Sequence, residues 1–374
     1  RRFMTRAFRR PVSEEEVDHY QRIHKIYDAE FDTLEQAMRE TLAMILISPQ
    51  FLYHRVIDDS ETNKQYELAS RLSYFLWGSM PDQELFDLAA AGKLVAPTVL
   101  EAQTRRLLAD PRAAGFVENF TIQWLSIAKM KTVNVNRDLF PRFLYTVHIG
   151  ERRGQEQLFR PTIRDYMHEE TVGFVGELIR KNASVLKIVD SEFAYLNEPL
   201  AVHYGVEGVR GLELRSVAIK PEHRLGGLLT QGSVLVGNST GSAPHPIYRA
   251  VWLREAILGD EVKPPPAEVP ALSDSAGDSA DEAVSIKNLL VLHRNNESCR
   301  DCHVRLDPWG IPFERYSAIG KYQPFVPEDK VRVRGFNHKQ DQTLAGYQAY
   351  LKSVYTEEVE ATSRVPHGPA VVGM

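Results

Sequence analysis

Five consecutive residues, Cys299-Arg300-Asp301-Cys302-His303, hold both cysteines of the chain in the C-x-x-C-H arrangement that attaches a c-type haem. The chemistry asks for that spacing. On a short helix, positions i and i+3 project to one side, so two thiols reach the two vinyl groups along one porphyrin edge. His303 follows directly and can turn its imidazole under the iron as proximal ligand. Other chemistries compete for the same residues. A thioredoxin-like redox pair needs a strand-to-helix entry, whereas Asn295-Asn296-Glu297-Ser298 reads as loop and cap. A structural zinc site wants four ligands, and there is no second cysteine pair. A disulfide, or two ordinary thiols, is the plain alternative. One covalently attached haem c is the expected cofactor.

The residues after the motif are candidates to surround it. Leu306, Trp309, Ile311, Phe313, Tyr316 and Ile319 give an apolar and aromatic density suited to one porphyrin face, and core packing explains each equally well. Pro308 offers a carbonyl that would accept the ring N–H of His303 and fix its tautomer. Arg305, Arg315 and Lys321 are candidates for the propionates, with a solvated charge as the alternative for each. The distal side is less defined. The only methionine after His303 is Met374, the last residue, which argues against a methionine ligand. His245, held between Pro244 and Pro246 at a helix start, is the candidate distal iron ligand or distal-pocket residue, and His338 is the second choice. His293 lies too close along the chain to cross the porphyrin but could border its edge.

These residues need a scaffold, and the periodicity predicts a mainly α one. Ser13 and Thr33 open capping boxes, the second leading into Leu34, Met38, Leu42, Ile45 and Leu46 at helical spacing. Further helices are expected at 67–76, 82–91, 97–108, 113–127, 161–181 and 246–258, with a buried helix favoured at 225–236. Strand signals are confined to 132–135 and 212–219. Residues 260–285, with Pro264-Pro265-Pro266 and a small acidic tract, read as a linker. The expected organisation is an N-terminal helical segment (1–60), a helical body with a few short strands (61–259), the linker, and a small helical cytochrome-c-like haem module (286–374) that opens with a helix at 286–293.

Composition sets bounds on function. The 374 residues suffice for two or three domains with large cores. A net charge of -5 gives no reason to expect nucleic acid. No apolar run reaches the roughly 18 residues of a membrane span. The chain starts at Arg1, which reads as a processed or partial product, and Arg1-Arg2-Phe3-Met4 is not followed by the apolar run of a twin-arginine signal. Haem c is attached outside the cytoplasm, so a periplasmic or otherwise extracytoplasmic location is expected, the signal being removed or lying upstream. The adjacent Glu169 and Glu170 point in different directions on a helix and read as solvated, which argues against a hydrolase.

Several runs together resemble a known family. Arg6-Ala7-Phe8-Arg9-Arg10-Pro11, residues 68–77, Gly226-Gly227-Leu228-Leu229-Thr230-Gln231, Arg249-Ala250-Val251-Trp252, and residues 299–310 with Asp307-Pro308-Trp309-Gly310 are similar in wording and order to the large planctomycete-type cytochrome-c-like proteins built from serial domains of unknown function. The resemblance runs to about residue 351. It implies an extracytoplasmic protein carrying haem c, and it implies no substrate. Family members usually extend further at both ends, so a redox partner protein or other subunits of a larger assembly are the expected partners.

Three functions remain open. The first is electron transfer by a monohaem protein, with Cys299 and Cys302 in thioether bonds, His303 as proximal iron ligand, and Pro308 and Trp309 beside the haem. The second is a haem-dependent oxidoreductase, oxidative or peroxidase-like, with an exchangeable distal site where His245 acts in acid–base chemistry. The third is a haem-bearing subunit or scaffold.

Overall fold

The computed structural model describes residues 1–53, 61–136, 140, 143, 162–263, 297–323, 325–327, 355–358, 362–364 and 370–372; residues 61, 62, 297–299, 301, 302 and the strand residues after 323 are described by backbone alone. Within these residues the protein is mainly helical with a few short strands. Its packing divides into two units, Arg1–Asn119 and Phe120–Met374.

The first unit opens with α1 (Arg2–Phe8), α2 (Glu14–Glu30), α3 (Leu34–Leu46) and the short α4 (Pro49–Leu52). The expected capping box at Ser13 is present. Ser13 Oγ accepts from the Glu16 N–H at 3.2 Å, and the Glu16 carboxylate accepts from the Ser13 N–H at 2.9 Å, so two donors of the first turn are satisfied reciprocally. In α3 the buried stripe differs in part from the expected one: Ile45 is buried as expected, but Ala37 and Thr41 are buried with it, while Leu34, Met38 and Leu46 are exposed. Both stripes have helical period. The smaller residues win where α2 comes close, and the Thr41 hydroxyl is held by the Ala37 carbonyl at 2.8 Å and by His24 Nδ1 at 3.1 Å. Arg9, buried with φ +58°, donates to the carbonyls of Gln50, Phe51 and Tyr53 and ties down the end of α4.

Next come α5 (Glu61–Trp77), α6 (Gln83–Ala90), α7 (Pro97–Ala109) and α8 (Ala114–Leu125), whose residues from Phe120 on belong to the second unit. Asp82 caps the start of α6, and Gly92 with φ +67° lies just past its end, as its sequence expects. The core here is built on Tyr66, Ala69, Leu76, Trp77, Leu85, Leu94 and Leu107. Trp77 closes it: its indole N–H donates to the Leu107 carbonyl at 3.0 Å, and the Arg112 guanidinium stands 3.4 Å over its ring.

The second unit contains α9 (Lys129–Thr132), α10 (Ile163–Arg180), β1 (Phe193–Leu196), α11 (Glu198–Tyr204), β2 (Arg215–Ala218), α12 (Gly232–Gly237), α13 (Pro246–Trp252) and α14 (Glu297–Gly310). β1 and β2 pair antiparallel, with Phe193 opposite Ala218 and Leu196 opposite Arg215. The expected strand at 132–135 does not form. Thr132 ends α9 instead, and the backbone beyond it leaves Val135 buried and lets the Asn136 N–H reach the Gly241 carbonyl at 3.0 Å. The expected helix at 225–236 is two short pieces, a 3-10 turn over Leu228–Thr230 and α12, broken at Gln231. α13 continues through a π-helical turn, Leu253–Ile257, and stops at Gly259 with φ +66°. Two further antiparallel pairs, β3 (Phe325–Pro327) with β4 (Tyr355–Glu358) and β5 (Thr362–Arg364) with β6 (Ala370–Val372), had no sequence signal.

Two cores hold this unit. Phe174 and Leu178 of α10 meet Leu228, Val234, Trp252, Phe313 and Tyr316 in one; Met167, Leu196, Leu200, Val236 and Ile319 meet in the other. Ile311, Phe313, Tyr316 and Ile319, expected as one face of a porphyrin pocket, are thus buried among protein side chains. The remainder of the expected linker after residue 263, the helix at 286–293 and the module boundary at 286 lie outside the described residues.

Candidate haem site

The whole C-x-x-C-H run is helical. α14 is described from Glu297 onward, so Glu297 and Ser298, expected in a loop and cap, are helical. The backbone sets Cys299 and Cys302 three positions apart, hence on one side of the helix, with His303 next in line. The side chains of the two cysteines lie outside the described residues.

One turn further on, Asp307 receives the histidine. His303 Nδ1 and Asp307 Oδ1 are 2.8 Å apart, with the Asp307 side chain fully buried and that of His303 14% exposed. A carboxylate only accepts, so Nδ1 is the protonated ring nitrogen and Nε2 carries the lone pair. The expected acceptor was the carbonyl of Pro308; the structure puts the Asp307 carboxylate on Nδ1. Positions i and i+4 lie over one another on a helix, whereas the carbonyl at i+5 points along the axis away from His303. Pro308 sits inside α14 and has no N–H to give the Val304 carbonyl. Val304 is on the exposed side, 48% accessible, where solvent can satisfy that carbonyl.

The opposite side of α14 is pressed onto α13. Leu306, Asp307 and Gly310 are buried, while Arg300, Val304 and Arg305 are exposed. Gly310 permits the approach: a Cβ there would lie 2.1 Å from the Pro246 carbonyl oxygen and 3.2 Å from Ala250 Cβ. Trp309 is half-buried against the core that contains Phe174 and Trp252, and Pro308 is half-buried.

Below this contact Arg249 of α13 is wholly buried. It donates to the carbonyls of Phe313 (2.5 Å), Tyr316 (2.6 Å), Ser317 (2.9 Å) and Leu235 (3.2 Å). Burial lowers its pKa to about 9, which still leaves it charged at neutral pH. Two more bonds fix the segment after α14: Tyr316 OH to the Arg224 carbonyl at 2.6 Å, and Ser239 Oγ to the Ala318 carbonyl at 3.1 Å.

His245 is the N-cap of α13. Its Nδ1 accepts from the Tyr248 N–H at 3.3 Å, and the two rings stack at 3.7 Å and 12°. Burial, with the neighbouring Arg249 charge, lowers its pKa to about 4. An Nδ1 that accepts leaves the ring proton on Nε2, so iron ligation by Nε2 requires this cap to be released. The contact at Gly310 places the start of α13 at the end of α14, two turns beyond His303. Arg315 donates to Tyr322 OH at 2.9 Å and Arg305 is exposed. His293 and His338 lie outside the described residues.

Glu169 and Glu170, both expected to be solvated, differ. Glu169 is exposed, but Glu170 is buried, and burial raises its pKa to about 8. The Tyr204 hydroxyl donates to its Oε2 at 2.6 Å and accepts from the Gly232 N–H at 2.8 Å. Beside it, His203 Nε2 meets the Ile319 carbonyl at 2.8 Å, and burial keeps that ring well below the usual histidine pKa. No carboxylate pair suited to hydrolysis results.

Three family models match the chain in series: PSD5, protein of unknown function (DUF1595), over residues 1–55; PSD4, protein of unknown function (DUF1592), over 64–206; and PSCyt3, protein of unknown function (DUF1588), over 225–325. No curated protein and no solved structure matches. The third match contains α13, Arg249 and the entire C-x-x-C-H helix, and its name, PSCyt3, hints at a cytochrome-like domain in this mainly helical protein. In series, the three matches fit the planctomycete-type proteins built from serial PSD and PSCyt domains of unknown function. Among the described residues no helix is long and apolar enough to cross a membrane.

Proposed function

We propose that this is an extracytoplasmic c-type haem protein that transfers electrons, in the periplasm or an equivalent compartment. The observation that carries this reading is the ordering of donors on one helix: Cys299 and Cys302 three positions apart, and His303 with Nδ1 already engaged by Asp307. That donor set fits a haem c, with the two thiols for thioether attachment and His303 Nε2 for iron. The bound haem would supply one-electron chemistry at its iron. The chain's own contribution is to hold the imidazole in one tautomer through Asp307, and to fix α14 on α13 through Gly310. Pro308 and Trp309 would border the group. Electron transfer implies a redox partner protein, or other subunits of an assembly.

The His303–Asp307 pair favours a second reading. A histidine bonded to a carboxylate is a stronger electron donor than one bonded to a carbonyl, which suits an oxidative or peroxidase-like enzyme with an exchangeable distal site.

The test is the visible spectrum of the purified protein, oxidised, reduced, and reduced under carbon monoxide, beside Cys299→Ser and Cys302→Ser variants. Haem c bands that depend on both cysteines and ignore carbon monoxide support the electron carrier. A carbon monoxide shift moves the assignment to the enzyme. Absence of haem from protein matured in a host with haem c assembly rejects both.

A further inference from the structure

We infer that Asp307 is a positioning residue that sets the reduction potential of the haem iron, holding it lower than a carbonyl-bonded histidine would. The inference rests on the haem reading above and specifies what this chain adds to it. Its basis is geometric. Asp307 is fully buried on the packed side of α14, 2.8 Å from Nδ1 of the histidine one turn earlier.

Three consequences follow from that placement. First, the ring is oriented by two points on one rigid helix, its own Cα and the Asp307 oxygen, so its plane does not depend on a loop. Second, the negative oxygen draws the Nδ1 proton and raises the electron density at Nε2, and a more basic ligand stabilises ferric over ferrous iron. Third, the burial of Asp307 keeps water from competing for its oxygen, so the contact with the ring is screened less than at a surface.

The experiment compares haem-loaded wild type with Asp307→Asn and Asp307→Glu. Haem content by the pyridine haemochrome assay comes first, then the reduction potential by spectroelectrochemistry. Asparagine keeps an oxygen for Nδ1 and removes the charge. Its potential is expected to rise clearly at unchanged haem content, and glutamate is expected to return it toward the wild-type value. A second readout needs no variant. Wild-type protein is examined by ferric electron paramagnetic resonance if the iron is low-spin, or by the ferrous iron–histidine Raman stretch if it is high-spin, against a c-type protein with a carbonyl-bonded histidine. A stronger ligand field or a higher stretching frequency is expected. Haem present, with wild-type potential in Asp307→Asn or with a carbonyl-like signature in the wild type, overturns this inference and leaves the haem reading standing. No haem in the wild type overturns both.

Discussion

Arg249 and Phe313 are 64 residues apart in sequence, yet the guanidinium of one donates to the carbonyl of the other at 2.5 Å. With Tyr316, Ser317 and Leu235, this makes four backbone carbonyls gathered by one buried cation. Within the turn after α14 the Phe313 and Ser317 carbonyls also accept from the Tyr316 and Gly320 N–H groups, at 3.0 and 3.1 Å, and the arginine adds a second donor to each from α13. Arg249→Met keeps the volume but takes this buried donor away from all four carbonyls. It is expected to lower stability by about 3 kcal/mol or more, read from urea unfolding. A loss under about 1 kcal/mol would mean that the carbonyls find other donors.

Gly310→Ala tests the contact of α13 with α14. The added Cβ would stand 2.1 Å from the Pro246 carbonyl oxygen, and backbone on both sides must shift to admit it. A destabilisation of about 1–3 kcal/mol is expected, against a gain for the same change at an unconstrained helix position. Thermal melts of the two proteins side by side decide it.

Glu170 makes stability depend on pH. Its carboxyl titrates near 4.5 when exposed and near 8 in the folded protein. Between those values the unfolded chain has released the proton and the folded one keeps it, so this contribution falls as pH rises through the window and levels off above it. His203 acts in the opposite sense, costing stability as pH drops below its ordinary value. Glu170→Gln isolates the first effect, because the histidine contribution is common to both proteins. The variant is expected to gain on wild type by a few kcal/mol from pH about 5 to about 8. Parallel stability curves would show that the acid is not protonated in the fold.

His245→Ala separates a cap from a ligand. As the N-cap of α13, the ring is worth about 1 kcal/mol of stability, and its removal should leave the haem spectrum unchanged. A spectrum altered in the ferric state would mean that the cap opens and Nε2 reaches iron.

The spacing of the C-x-x-C-H run along one helix and the Ser13 cap were legible in the sequence, because each needs only a few neighbouring residues. Asp307 was legible in principle, four residues after His303, but choosing it over the Pro308 carbonyl required knowing that the helix continues past a proline. Arg249 was not legible, since arginine is rarely buried whole and its partners come from a distant turn. The buried stripe of α3 was misjudged because Ala37 and Thr41 give a weaker hydropathy signal than Leu34 and Met38. β1 is four residues long and alternates too briefly to register.

The core that joins Phe174 and Leu178 to Leu228, Val234, Trp252 and Phe313 draws on two matched regions, 64–206 and 225–325. Recombination that cut the gene between them would leave each fragment with half of an apolar interior facing water. A chimera grafting the C-x-x-C-H helix and its surroundings onto another scaffold therefore needs residues 120–325 as one cassette, and inheritance of the two regions should be linked for the same reason.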